Sequence, residues 1–358
     1  MYRTLTLANQ LKAKGHEVVF FCREVSGNLI EMLEKQHQVV ALSVIENSDL
    51  TDEKHCPHAA WLEVTYNDEI NQITEALQAY LSTSSFCQFD WIIADNYAIE
   101  HQWHSAVRPY TRRIMQIDDL ADRVYECDLL LDQNFYINGQ RRYDGLVPEG
   151  SALLIGPKFA LLRSEFKTKR DELQDYPIRF KKRNVVLFFG GIDMENETEK
   201  ALIGLLDVPN NYDHFDVIVG MNNPNIESLT EVVARNSHRV ELHIQVSNMM
   251  DYFAKSYLYV GAVGATTWER CALALPGLVC SVADNQINVA EDLDKINGHS
   301  YLGSFTSTTS KMYKERYYSI RNNLDKALQQ SEKCAVLVDG LGTISVVKKL
   351  EAYSNENM

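Results

Sequence analysis

An α/β fold of two doubly wound, parallel-sheet domains is what this sequence predicts, and three observations carry the prediction. Apolar runs of four to seven residues alternate with stretches of helical periodicity along nearly the whole chain, the pattern of parallel strands joined by crossover helices. The length of 358 residues exceeds one ordinary domain; it suits two of about 150 to 180 residues, each with its own core. The run Gly261–Pro276, GAVGATTWERCALALP, lies between the apolar segments Tyr257–Val260 and Leu278–Ser281 and reads as strand, small-residue loop, helix, strand.

In the first half, strands are expected at Val18–Cys22, Val39–Val44, Trp91–Ala94, Ile114–Ile117 and Leu129–Leu131, with helices at Thr4–Lys14, Asn28–Lys35 and Asp68–Ser82. In the second half the strands are Asn184–Phe189, Phe215–Val219, Val240–His243, Tyr257–Val260 and Leu278–Ser281. Helices fall near Glu195–Leu206, Asn225–Asn236, Ser247–Ala254, Ala265–Leu275 and Asn285–Asn297, then Lys311–Lys333 and Thr343–Tyr353. The charged stretch Arg163–Arg183, with one proline and no strand-like run, is expected to be a solvated linker between domains 1–163 and 184–358. The last helices are expected to pack back on the first domain.

Doubly wound domains open on a central strand, whereas here Leu5, Ala8 and Leu11 already give a helix its apolar face and Gly15 its stop. The expectation is a first domain without its opening strand.

With 35 basic and 49 acidic residues the net charge is −14, which disfavours general attraction to nucleic acid or anionic lipid. An anionic ligand must then be held by local geometry. Seven cysteines at irregular spacing, most in or beside apolar segments, fit reduced thiols and a cytoplasmic location. No apolar run is long enough to span a bilayer, so no membrane partner is expected.

A loop of small side chains at a helix start lets backbone N–H groups approach a phosphate, and the helix dipole favours the negative charge. Gly264, Ala265, Thr266 and Thr267 form such a loop, and Glu269 falls early in the helix, where a carboxylate can accept from a ribose diol. Gly190 and Gly191 leave a buried strand in the same way; a plain turn explains either loop taken singly. Ser247 opens a helix after a strand, and Asn285 and Gln286 follow another strand end, where polar side chains face the ligand of an open parallel sheet; Asp284 or Asn285 can instead, or also, cap the helix. Asp95, Asn96 and Tyr97, and then Asp118 and Asp119, hold the same position in the first half. Adjacent carboxylates point apart, so Asp118 and Asp119 are expected to act as cap or orienter and not as a shared-proton pair. His101 with His104, and His55, Cys56 and His58, lack further ligands at convincing spacing, and no metal is expected. No GxSxG, Walker or GxGxxG motif is present, which argues against serine hydrolases, nucleotide kinases and dinucleotide oxidoreductases.

Long segments, among them RTLTLANQLKAKGHEVVFFCR, SGNLIEML, DWIIADNYAIE, IMQIDDLADRVYECDLLLDQNFY, LLIGPKFALLRSEF, VVLFFGGID, QVSNMM, GATTWERCALALP and ADNQ, resemble the UDP-sugar hydrolases of pseudaminic acid biosynthesis, of the GT-B, lipid-II glycosyltransferase-like superfamily. The resemblance implies a GT-B fold of two Rossmann-like domains facing a cleft, and metal-independent, cofactor-free hydrolysis of UDP-2,4-diacetamido-2,4,6-trideoxy-β-L-altropyranose with inversion. It implies UDP held in the second domain: Glu269 on the ribose, Gly264, Ala265, Thr266 and Thr267 with Gly190 and Gly191 at the diphosphate, and backbone near Ser247 and Met249 at the uracil. Arg3, Asn28 and Gln286 join the substrate-binding set. Tyr97, Asp95 and Asn285 become the catalytic candidates, and other sugar-biosynthesis enzymes the expected partners. The family's catalytic histidine would fall just before Met1, so roughly 15 to 20 residues bearing the opening strand are expected upstream.

Three positions depart from the family pattern: Ile192 and Ala265 where serine is usual, and Val263 where glycine is. Weaker nucleotide affinity or a changed UDP-sugar preference is the expected result. The alternatives are a glycosyltransferase of the same architecture and, for want of that histidine, an inactive UDP-sugar binding protein.

Overall fold

The computed structural model describes residues 2–45 and 58–355, so His55 and Cys56 lie outside the described residues. The chain divides into two compact units. Unit 1 comprises Met1–Asn134, Asn138–Leu161 and Thr343–Met358, and unit 2 comprises Phe135–Ile137 and Leu162–Gly342.

Unit 1 opens with α1 (Tyr2–Ala13), β1 (Val19–Arg23), α2 (Ile30–Glu34) and β2 (Gln38–Leu42). It continues with α3 (Tyr66–Thr83), β3 (Phe89–Ala94), α4 (His101–Val107), β4 (Thr111–Ile117), β5 (Leu129–Asp132) and β6 (Ala152–Ile155). The Thr65 hydroxyl accepts from the Asp68 N–H at 3.1 Å and so starts α3, whose Ile73 and Leu77 face the core. All strands are parallel, but they form two sheets, β1-β2 and β3-β4-β5-β6. Among the described residues no strand pairs with both β1 and β3. β4 and β5 are the inner strands of the larger sheet, and all four residues of β5 are buried.

Unit 2 begins with α5 (Ser164–Asp171) and α6 (Tyr176–Lys182), which occupy the stretch expected to be a solvated linker. That expectation is corrected by burial: Phe166, Tyr176, Phe180 and Arg179 are all inside. Arg170 donates to the carbonyls of Ala272, Ala335 and Val338. Arg179 donates to those of Ser256, Leu273 and Ala274. Their charge serves carbonyls around helix C-termini, where a cation is favoured, and not a binding surface.

The sheet of unit 2 comprises β7 (Asn184–Phe188), β8 (His214–Val219), β9 (Val240–Ile244), β10 (Leu258–Ala262), β11 (Gly277–Ser281) and β12 (Ser300–Ser304). It is wholly parallel in the order β12-β11-β10-β7-β8-β9, that of the doubly wound dinucleotide-binding domain. The helices between are α7 (Glu197–Leu206), α8 (Ile226–Arg235), α9 (Met249–Lys255), α10 (Thr266–Ala272) and α11 (Ile287–Lys295). The long C-terminal helix expected at 311–333 is two, α12 (Ser310–Arg321) and α13 (Leu324–Leu337), because Asn323 breaks the run and its side chain caps α13 through the Lys326 N–H at 2.9 Å. The last helix, α14 (Gly342–Asn355), places Val346, Val347 and Leu350 against Leu7, Met115 and Leu129 in a core of unit 1. None of the helices among the described residues is long and apolar enough to cross a membrane.

Candidate functional site

In an open parallel sheet the strand order reverses at one point, and the loops leaving the carboxyl ends of the two strands there diverge and leave a crevice. In unit 2 that point lies between β7 and β10, which pair with each other while their chain neighbours β8 and β11 lie on opposite sides. The loops after them are Phe189–Gly190–Gly191 and Val263–Gly264–Ala265, the two glycine segments marked in the sequence.

The loops differ in how far they are satisfied. Gly190 has φ +110°, a left-handed-side conformation that only glycine adopts without strain. The Gly191 carbonyl accepts from the Gly220 N–H at 2.9 Å. The start of α7 is closed by the chain itself: the Asp193 carboxylate accepts from the N–H groups of Glu197 at 3.0 Å and Thr198 at 2.9 Å. α10 has no side-chain cap. The Gly264 N–H reaches the Thr267 hydroxyl at 3.3 Å, but the N–H groups of Ala265 and Thr266 find no acceptor among the described residues. Two donors are thus bare at the carboxyl end of β10.

Glu269 lies on α10, half-buried; burial pushes its carboxyl above the usual range, and the Arg163 charge opposes this. The other end of α10 is clamped. Arg170, Arg179 and the buried Arg270 take the carbonyls of Ala272, Leu273 and Leu275. Gln286 lies next to the loop: a Cβ on Gly264 would stand 3.8 Å from its Nε2, while its Oε1 accepts from the Val282 N–H at 2.9 Å. Neither Asp284 nor Asn285 caps α11, so the capping alternative is corrected; Asn285 is exposed. Ser247 is exposed and lies two residues before α9, which starts at Met249 and not at Ser247 as expected.

Unit 1 gathers side chains where unit 2 gathers backbone. At the carboxyl ends of β3 and β4, Asp95 takes Arg3 Nη2 at 2.6 Å and the Thr4 hydroxyl at 2.5 Å, and Asp119 takes Arg3 Nη1 at 3.2 Å and the Tyr97 hydroxyl at 2.6 Å. Burial favours neutral Asp95, but Arg3 outweighs it and holds the carboxyl below its ordinary range. Burial together with Asp119 raises the Tyr97 phenol, which stays a donor at neutral pH.

Asp118 points elsewhere. It is fully buried, caps the turn at Leu120 and Ala121, and meets Arg123 at 3.2 Å and the Tyr143 hydroxyl at 3.0 Å. Asp132, at the end of β5, is bonded by Arg142 and Tyr143, yet burial lifts its carboxyl to about 7. The sequence reading passed over Asp132, although the rule that found Asp95, an acid just past a buried strand run, finds it too.

Asn28 does not join this group. Its side chain closes a local turn, accepting from the Ile30 N–H at 3.0 Å and donating to the Val25 carbonyl at 2.8 Å. His101 and His104 do not form a pair of ligands either. His104 is buried between Gln116 and the Glu126 N–H, and burial brings it down to about 4. Asp216, Glu241 and His243 lie close enough to hold a cation, but Lys255 Nζ sits 2.8 Å from Asp216 and supplies the positive charge.

No protein-family model matches the chain. It is 22% identical over 325 residues to an uncharacterised protein of Methanocaldococcus jannaschii, a match that covers 89% of this chain but only 58% of that protein's length. Over 209 residues, 58% of this chain and 72% of the relative, it is 26% identical to the UDP-2,4-diacetamido-2,4,6-trideoxy-beta-L-altropyranose hydrolase of Campylobacter jejuni. Among solved structures, Acinetobacter baumannii MurG matches with a TM-score of 0.67 at 13% identity, covering 98% of this chain and 95% of MurG. Arabidopsis thaliana UGT89C1, complexed with UDP-L-rhamnose, matches with a TM-score of 0.66 at 11% identity and the same coverage. The chain therefore has a GT-B, glycosyltransferase-like fold, α/β with parallel sheets.

Proposed function

We propose that the protein hydrolyses a UDP-linked 2,4-diacetamido-2,4,6-trideoxy hexose to the free sugar and UDP, water attacking the anomeric carbon with inversion. The observation that carries the nucleotide half is the pair of bare N–H groups of Ala265 and Thr266 beside Glu269, at the switch point of the unit 2 sheet. In this reading the amides of residues 264–267 and of Gly190–Gly191 take the diphosphate, Glu269 accepts from the ribose hydroxyls, and the backbone near Ser247 and Met249 meets the uracil. Departure of UDP places charge on the β-phosphate oxygen, where prepositioned amides stabilise it without reorganising.

The sugar half of the reading uses Tyr97, Arg3 and Asp95 of unit 1. Asp95 is a positioning residue, since its oxygens are committed to Arg3 and Thr4. The likeness to the Campylobacter jejuni hydrolase supports water as the acceptor. The fold neighbours support a second reading, transfer of the sugar to an acceptor hydroxyl.

Incubation with the UDP-diacetamido sugar in H2 18O separates the two. One 18O at the sugar's anomeric position, with unlabelled UDP, is expected. No turnover unless an acceptor is added would replace hydrolysis by transfer, and tight UDP-sugar binding without turnover under either condition would leave a binding protein.

A further inference from the structure

A lone apolar side chain on a surface needs no explanation, but Trp61 is not alone. It stands on the short helical turn Ala59–Leu62, where Ala59 and Leu62 are buried while the indole is 63% exposed. The turn is closed by its own backbone: the Trp61 N–H meets the His58 carbonyl at 3.0 Å and the Glu63 N–H the Ala60 carbonyl at 3.4 Å.

Two rings hold the indole from the side. The Tyr97 centroid is 5.4 Å away with the planes at 67°, and the His58 centroid is 6.3 Å away at 68°. Edge contacts of this kind fix a ring and leave much of it open. Each neighbour is pinned by a carboxylate in turn: the Tyr97 hydroxyl donates to Asp119 at 2.6 Å, and His58 Nε2 lies 2.7 Å from Asp122 Oδ2. Unit 1 alone therefore builds this aromatic platform, from residues 58–62 and the loops that follow β3 and β4.

The polar groups on its rim have a fixed sense. Tyr97 gives its one proton to the bond with Asp119, and burial together with that carboxylate raises the phenol, so its oxygen offers a ligand only lone pairs. The indole N–H of Trp61 can only donate, and it has no partner among the described residues. Arg3, bonded to Asp95 and Asp119, adds positive charge beside Tyr97. The matching ligand group is flat and apolar, with one N–H and one C=O in its plane. A secondary acetamide has these properties: its methyl and plane suit an aromatic ring, its N–H an acceptor and its carbonyl a donor. A hydroxyl in its place brings neither methyl nor plane.

We infer, resting on the sugar half of the reading above, that Trp61 and Tyr97 recognise an acetamido group of the sugar, and that Trp61 is a specificity-determining residue for N-acetylated over plain hexoses.

The test uses the full chain and reads Trp61 directly, because Trp103 and Trp268 are buried and Trp91 is half-buried. The free 2,4-diacetamido-2,4,6-trideoxy hexose is the probe, with N-acetylglucosamine and glucose beside it; none carries a nucleotide, so the measurement does not involve the loops of unit 2. The diacetamido sugar should shield the exposed tryptophan emission from iodide with saturation, N-acetylglucosamine more weakly, and glucose not at all. Trp61→Ala should abolish the shielding. In hydrolysis of the UDP-diacetamido sugar it should raise KM about 10-fold with kcat within about threefold, the upper end of what one aromatic contact contributes. Trp61→Phe, which keeps a ring and loses the N–H, should lie between, and the UDP dissociation constant and urea midpoint should stay as in wild type. Equal shielding by glucose overturns the acetamido preference. No shielding by the diacetamido sugar at concentrations that inhibit turnover, or an unchanged KM in Trp61→Ala, overturns the platform and leaves hydrolysis standing. Shielding in a wild-type protein that releases no sugar keeps the platform and removes hydrolysis, and a protein that shows neither overturns both.

Discussion

The carboxyl edges of the two units hold different kinds of chemistry. In unit 1 the groups there are long charged side chains that satisfy one another: Arg3 with Asp95 and Asp119, Arg123 with Asp118, Arg142 with Asp132. In unit 2 the corresponding edge at β10 is small side chains and main-chain donors, two of them without partners. A network already closed on itself sets the shape and charge of a surface and resists change; an unclosed run of amides is poised for an anion that arrives from outside. The first should respond to mutation through stability, the second through affinity.

The largest effect is expected where unit 1 loses its central cation. Arg3→Met removes the guanidinium that Asp95 and Asp119 share. Removing one partner of a fully buried pair costs about 3–5 kcal/mol, and because the Arg3 side chain keeps 19% exposure the lower end, about 3 kcal/mol, is expected from urea unfolding at neutral pH. A loss below about 1 kcal/mol would show that solvent already screens the group and that the edge is not a closed network.

Acid should act on both units alike and so mark the limit of the contrast. Burial brings His104 of unit 1 to about 4. Burial and then Arg270 bring His299 of unit 2 to about 3. Each ring is neutral and bonded on both sides, His299 accepting from Arg270 at 3.1 Å and donating to the Ala290 carbonyl at 2.7 Å. For a base whose folded pKa is depressed, the stabilisation is present above the unfolded value near 6.5 and is lost as pH falls toward the folded one. The loss should be on the order of 3 kcal/mol per ring between about pH 6.5 and 4, read as unfolding free energy against pH. His104→Gln and His299→Gln should each flatten one contribution; slopes unchanged in both variants would assign the acid response to other groups.

Much of this was legible from composition and pattern, and what was not has a physical cause. Ten strands and the two glycine loops follow from apolar runs and their exits, because buried parallel strands must be continuous and apolar. β12, Ser-Tyr-Leu-Gly-Ser, escaped because it is a short polar edge strand; β6 is a four-residue run that lay unassigned before the charged stretch. The charged stretch 163–183 misled because Arg179 is buried and Arg170 half-buried, both balanced by carbonyls that come from α10, α13 and neighbouring turns far along the chain. No single-sequence signal announces such a pairing. The same holds for His58 with Asp122, 64 residues apart, whereas Tyr97 with Asp119 was half visible, each just past its own strand.

Returning to the open edge, Glu269→Ala should weaken UDP binding by about 1.5–3 kcal/mol, as for loss of a charged acceptor to a hydroxyl pair, with little change in unfolding free energy. Calorimetric titration with UDP reads the first and urea unfolding the second. An unchanged affinity would remove Glu269 from the nucleotide site and leave the raised carboxyl as a consequence of burial alone.

The smallest effect tests the same edge from the opposite side. Ala265 is exposed, sits just before α10 in helical conformation, and contributes an N–H but no side-chain donor. Serine in its place adds one hydroxyl where the two bare amides lie, with no neighbour to displace, and a hydrogen bond to an anion is worth about 1 kcal/mol or somewhat more. Ala265→Ser should therefore tighten UDP about fivefold and leave uridine, which lacks the phosphates, unaffected. Equal gains for UDP and uridine would place the new hydroxyl away from the diphosphate, and a weaker UDP would mean that the serine side chain turns back to cap α10 and takes the donors the phosphate needs.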